Sequence, residues 1–214
     1  MINKKLKAIA SFINTQDTVV DIGCDHAYLA IYLKENKLCK NVYASDINEN
    51  ALNIAKHNIK EHNLDIETIL SDGFKNIANT NIDTAVISGM GTNSILDIIR
   101  YAPKNINKYI LCSHNNLDIL RKKLYEHKLY IEKEIAIYDH KKYYVIMLVT
   151  KNYQKENRIS LKYGRSNNKE YLTYLLEKEQ EVLKHIPKRK IKKRLKHLKN
   201  TWDLRKLIKR SEEH

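Results

Sequence analysis

Asp21-Ile22-Gly23-Cys24-Asp25-His26 places two carboxylates, a glycine and an imidazole in one short turn directly behind the apolar pair Val19-Val20. A glycine there lets a ligand approach the backbone closely. The carboxylates can attract a cation or accept hydrogen bonds from hydroxyl and amino groups. Similar clusters recur downstream at Asp46-Ile47, Asp72-Gly73, Ser88-Gly89-Met90-Gly91 and Ser113-His114-Asn115-Asn116. His57, His62, His114, His127, His140, His185 and His197 show no metal-ligand spacing, so no metal is expected.

The elements that must position these groups are readable from periodicity. Leu6, Ile9, Ala10 and Ile13 mark one face of a helix expected near residues 2–14. Short apolar runs at 18–22, 41–45, 66–70, 82–87 and 109–112 read as strands, and helical patterns follow at 28–36, 48–62, 94–101 and 117–127. Residues 130–138 and 143–150 read as a hairpin around Asp139-His140-Lys141-Lys142. Strand-helix alternation followed by a hairpin predicts an α/β, doubly wound, Rossmann-like sheet with a late antiparallel element. Each polar or glycine cluster falls at the carboxyl end of a predicted strand, where ligands of such sheets bind.

The first turn lacks the full Gly-x-Gly-x-x-Gly, because Asp25 and Ala27 stand where further glycines would let a pyrophosphate approach. S-adenosylmethionine fits better, since it carries a zwitterionic amino-acid end and no phosphate. Asp21 can attract its cationic end. Asp46 can accept from two ribose hydroxyls, and Asp72 from an adenine amino group. Two glycines in Ser88–Gly91 leave room for a flat base or a methyl group.

The net charge of +14 is unevenly placed. Residues 1–150 hold 19 Lys+Arg against 17 Asp+Glu, whereas 151–214 hold 20 against 8. The chain is therefore read as a methyltransferase-type domain over 1–150 and a basic helical hairpin over 151–214, with 151–168 as linker or docking loop. Ile191, Leu195, Leu198 and Trp202 step by coiled-coil spacing and are expected to form the seam of that hairpin. Its outer face would present Lys188, Arg189, Lys190, Lys192, Lys193, Arg194 and Lys196 to nucleic acid. No apolar run is long enough to span a membrane, and the first residues lack a signal-peptide core. Cys24, Cys39 and Cys112 are few and unpaired in pattern, which suits a reducing cytoplasm. A monomer is expected, although the coiled-coil stripe leaves self-association open.

At these residues the chain resembles the bacterial tRNA (adenine-22-N1)-methyltransferase family. The resemblance is carried by Leu6–Ile13, by Asp21-Ile-Gly-Cys-Asp-His-Ala-Tyr-Leu29, by Ala44-Ser-Asp46, Ser71-Asp-Gly73 and Ser88–Gly91, and by Asn115. It covers residues 1–150 and continues more loosely through Lys162-Tyr-Gly164 into the tail. It implies a Rossmann-like domain with a C-terminal helical coiled coil, S-adenosylmethionine as cofactor, and methylation of adenine N1 in the D-arm of tRNA. It also implies cofactor contacts from Asp21, Gly23, His26, Tyr28, Leu29, Asp46, Ile47, Asp72, Gly73, Ser88, Gly89, Met90 and Gly91. Asp25 and Asn115 would act at the target base. The chain departs from the family pattern at Cys24 (commonly Ser), Ala30 (Pro), Thr92 (Gly) and Ser113-His114 (Gln-Pro). Action on another RNA adenine, or RNA binding without catalysis, are the alternative readings.

Overall fold

The strand pattern closes into one seven-stranded sheet in the computed structural model, which describes residues 3–77 and 81–212. The strands are β1 (Thr18–Ile22), β2 (Asn41–Asp46), β3 (Glu67–Leu70), β4 (Thr84–Met90), β5 (Lys108–Ser113), β6 (Tyr130–Asp139) and β7 (Lys142–Thr150). Their order is β3-β2-β1-β4-β5-β7-β6. The first five are parallel, and β7 pairs antiparallel with both β5 and β6. The hairpin turn falls on His140 and Lys141, both at positive φ (45° and 62°), as a two-residue turn with matching twist requires.

Between β1 and β4 the chain reverses its direction of travel across the sheet, so a crevice opens at their carboxyl ends. Alternation along the strands buries both faces. Val19, Val86 and Ile110 pack with α1 (Lys4–Ala10), α2 (Tyr28–Glu35) and α3 (Glu49–Glu61). Val20, Ile87 and Leu111 pack with α4 (Thr92–Arg100) and α5 (Leu117–Glu126) on the other face. The expected start of the first helix at residue 2 lies outside the described residues. Its C-terminal part departs from helix after Ala10, although Phe12 and Ile13 are still buried.

Residues 151–168 are not simply a linker. Arg158–Tyr163 forms a short helix, α6, with a reciprocal cap between Asn157 and Ser160. Helices α7 (Lys169–His185) and α8 (Ile191–Ser211) then pack antiparallel, with Glu179 accepting from His197 (2.7 Å) and Asn200 (3.1 Å). Ile191, Leu195, Leu198 and Trp202 do not form their seam. They are exposed, and the inward face of α8 carries Asn200, Thr201, Asp203 and Leu204 instead. The polar seam is tolerated because its members are paired: Arg158 Nη2 meets Asp203 Oδ2 at 2.6 Å, and Lys162 Nζ donates to Asn200 Oδ1.

The tail is fastened to the sheet by a buried ion pair. Arg121 on α5 and Glu134 on β6 bond bidentately at 2.9 Å and 2.9 Å. The remaining guanidinium nitrogen donates to the Lys162 carbonyl at 3.0 Å. Gly164 follows at φ +86°, and a Cβ there would overlap the Glu134 carboxylate and the Arg121 guanidinium. Only glycine lets the chain leave α6 this close to the pair. Asn168 adds a bond from its amide to the Ala136 carbonyl (3.0 Å), and Tyr171 packs into the sheet-side core.

Candidate functional site

The site is built around the turn after β1. Gly23 N–H and Cys24 N–H both donate to the Ser45 carbonyl, at 2.8 and 3.0 Å, which folds the turn over the end of β2. Asp46 then braces it: its Oδ2 accepts from Asp25 N–H (3.0 Å), and its Oδ1 accepts from Asn48 N–H (2.9 Å). Asn48 in turn caps α3. Gly23 takes φ +75°, and a Cβ there would overlap Met90 Cε. The ends of β1 and β4 thus approach each other through a glycine.

A cleft of about 520 Å³ opens here, a volume suited to a small-molecule cofactor. Gly23, Asp46, Ile47, Asp72, Gly73, Ser88, Gly89 and Met90 line it, from the ends of β1, β2, β3 and β4. Sequence reasoning missed the wall opposite, which α4 supplies through Asp97, Ile98 and its C-cap residue Tyr101, and missed Lys75. Lys75 holds Asp72 in an ion pair at 2.6 Å. The apolar period of α4 carried the signal for Ile98, but a helix face gave no reason to turn it toward a ligand.

Other expected residues lie off this cleft. Asp21 is buried behind it, and Leu29 is packed in the core rather than lining it. Asp25 and His26 follow Gly23 in the same turn but are not among the residues that line the cleft. Asp25 is left-handed (φ 50°), its side chain is 71 % exposed, and its carboxylate stands 3.5 Å from His26 Nε2. His26 Nδ1 is buried without a protein hydrogen-bond partner, and the ring lies 5.5 Å from that of exposed Tyr28. Gly91 faces Asn115, whose Oδ1 and Nδ2 would lie 3.7 and 3.8 Å from a Cβ added there.

Asn115 is already at work in the fold. Its Oδ1 accepts from Thr92 N–H at 3.1 Å and so caps α4 from outside. Thr92 Oγ1 donates to the Asn115 carbonyl (2.7 Å) and contacts Ser113 Oγ (3.0 Å). Two departures from the family pattern, Thr92 and Ser113, therefore touch each other and hold Asn115 between them. The Asn115 backbone N–H donates to Ser113 Oγ at 3.4 Å, which leaves the side-chain Nδ2 as its unused donor among the described residues.

Burial raises the Asp21 carboxyl to about 7, with Asp46 adding to the shift and Lys5 opposing it. Burial likewise pushes the Cys24 thiol well up, so it stays neutral and un-nucleophilic. A carboxyl half-protonated near neutrality suits a site awaiting a cation. Its folded value lies above its unfolded one, so its contribution to stability is complete at low pH and is lost as pH rises from about 4 to about 7. Thermal melting of the unliganded protein should show this as a fall relative to Asp21→Asn across that range. Parallel pH curves for the two proteins would contradict it.

The tail offers the second surface. Lys188, Arg189, Lys190, Lys192, Lys193 and Lys196 are exposed, with no acidic partner among the described residues. Arg194 is different, because its guanidinium turns inward to the Ile186 (2.9 Å) and Leu183 (3.3 Å) carbonyls that end α7. Among the described residues no cluster of three His, Cys, Asp or Glu side chains could hold a metal, and no helix is long and apolar enough to cross a membrane.

The family described as methyltransferase domain matches residues 2–147. A Mycoplasma genitalium protein bearing the name of a tRNA methyltransferase is 32% identical over 152 residues, 69% of each chain. The Bacillus subtilis tRNA (adenine(22)-N(1))-methyltransferase is 25% identical over 152 residues, 69% of this chain and 64% of that one. The solved structure of Mycoplasma capricolum TrmK with S-adenosyl-homocysteine superposes with a TM-score of 0.85 at 33% identity and covers 98% of both chains. The crevice at the β1/β4 switch point, the turn braced by Asp46 and the full-length structural match agree: the chain belongs to the methyltransferase-domain family and, within it, to the bacterial tRNA (adenine-22-N1)-methyltransferases.

Proposed function

We propose that this protein methylates N1 of adenosine 22 in the D-arm of tRNA, using S-adenosylmethionine. The observation that carries this reading is the convergence of Gly23, Asp46, Asp72 and Met90 on one cleft, in a chain whose tail is strongly basic. Asp46 accepts from the ribose hydroxyls with the lone pairs its two backbone bonds leave free. Ile47, exposed beside it, covers one face of the adenine ring, and Asp72 and Gly73 meet its amino edge. Gly23 gives the amino-acid end room, and Asp21 provides the field that favours its cationic group. When bound, S-adenosylmethionine supplies an electrophilic methyl group on a sulfonium.

The chain's own work is at the target base. Unpaired adenine carries a free lone pair on N1 at neutral pH, so no general base is needed to create the nucleophile. In a duplex that lone pair is engaged, so the base must be flipped out, at a few kcal/mol. Asp25, exposed in the turn that follows Gly23, meets the incoming base. Its carboxylate accepts from the exocyclic amino group and offsets the positive charge that develops on the ring. The Asn115 amide nitrogen donates to the base edge while its oxygen stays on Thr92. Orientation of this kind can lower a barrier by roughly 7–11 kcal/mol at best. The reading sets the reaction in the cytoplasm with a single chain as the working unit.

The tail grips the phosphate backbone. With about five phosphates neutralised, log K falls against log salt with a slope of about −3.5 to −4.5. Replacing Lys192, Lys193 and Lys196 together by glutamine should flatten that slope by about 2 to 3. An unchanged slope would place the RNA elsewhere.

The function itself is tested by incubating the protein with isotope-labelled S-adenosylmethionine and unmodified tRNA, then digesting to nucleosides. Label in 1-methyladenosine is expected. Label in another nucleoside, or none in RNA, overturns the reading.

A further inference from the structure

The outward face of α8 is apolar where a solvated helix should be polar. Ile191, Leu195, Leu198 and Trp202 are 65, 59, 46 and 60% exposed. At about 100° per residue they fall in one narrow stripe, roughly 17 Å long, on the side of the helix away from α7. The inward face over the same turns holds Arg194, His197, Asn200 and Thr201, all with hydrogen-bond partners. Over these turns α8 therefore keeps polar residues inside and leaves this apolar stripe out, while the apolar part of the seam is formed by Leu172 and Leu204 instead.

What covers the stripe is decided by the charges around it. Lys199 and Lys206 lie beside it on one flank and Arg205 on the other, and the only carboxylate of α8 is the buried Asp203. Lys206 Nζ stands 5.3 Å from the centre of the Trp202 ring. A second copy of this helix would bring two rows of cations face to face. An anionic partner with flat apolar faces meets both features at once, and RNA with unstacked bases is such a partner.

We infer that Ile191, Leu195, Leu198 and Trp202 form a stacking platform for unpaired bases of the RNA, with Trp202 as its aromatic contact and the flanking cations on the neighbouring phosphates. This deepens the proposed function and rests on its RNA substrate. It gives the tail a means to choose loop regions over plain duplex, since phosphate contacts alone cannot distinguish them.

Trp202 is the only tryptophan in the chain, so its fluorescence reports on this stripe alone. The full-length protein is titrated with unmodified tRNA while binding is followed independently by anisotropy of labelled RNA. The proposal expects quenching of Trp202 emission in step with binding by tRNA, and little by a blunt RNA duplex of equal length. Trp202→Ala should weaken tRNA binding by about 5- to 150-fold with an unchanged salt slope and melting temperature, and Trp202→Phe should restore most of it. Binding of tRNA with no change in Trp202 emission overturns the platform but leaves the proposed function standing. Absence of any tRNA binding overturns both. A blue shift on raising protein concentration without RNA assigns the stripe to self-association, and one on anionic phospholipid vesicles assigns it to a membrane surface. Either would overturn the inference.

Discussion

Replacing Arg121 by leucine is expected to destabilise the fold by about 3–5 kcal/mol. Arg121 and Glu134 are 2% and 0% exposed, and each is the other's charge partner. The substitution leaves a carboxylate with no counter-charge in a place water does not reach. It also strands the Lys162 carbonyl, which loses its donor. Denaturant unfolding at neutral pH would show the deficit. Pairing Arg121→Leu with Glu134→Gln should recover part of the loss. A single variant that melts like the parent at neutral pH would mean the pair is not closed in solution. The damage should extend to tRNA affinity, because the same guanidinium holds the chain at the start of the tail. For that reason the basic tail cannot be treated as a detachable accessory.

Substituting Asp25 by asparagine should lower kcat by about 10²- to 10³-fold, with saturating cofactor and little change in cofactor affinity. The fold should not notice. Asp25 sits at φ 50°, a conformation asparagine accepts as readily as aspartate, and its backbone bond to Asp46 survives the change. What is lost is the negative charge facing the adenine ring as it becomes a cation. Single-turnover methylation at saturating tRNA separates this from weaker RNA binding. Asn115→Ala should lose turnover too, but with some loss of stability, because it also uncaps α4. If both variants keep full turnover, neither residue acts at the base.

The parts of the molecule legible in the sequence are those set by local chemistry. The strands β1 and β2 and their turn were readable because β-branched runs end in glycine and aspartate, and the two-residue hairpin turn lay within the polar cluster at 139–142. The parts that were not legible depend on partners far along the chain. Helix α6 is only six residues, too short for a period to show, and is held by Arg121 from another element. The stripe on α8 has a seam's spacing, but spacing does not tell which face a helix buries. Glu179, Arg158 and Lys162 satisfy the polar side and so turn it inward. At the site, the strand-end residues Asp46, Asp72 and Met90 line the cleft as their positions suggested. Asp21 and Leu29 stand behind it, because alternation along a strand and packing of a helix send neighbouring side chains to opposite sides.

The central claim is methylation at N1, and a methyl group there removes the Watson–Crick edge of the base. Reverse transcription of tRNA treated with the protein and S-adenosylmethionine should halt at adenosine 22. The halt should vanish when that adenosine is replaced by guanosine or when the cofactor is withheld. Read-through at adenosine 22, or a halt at any other position, would contradict the account.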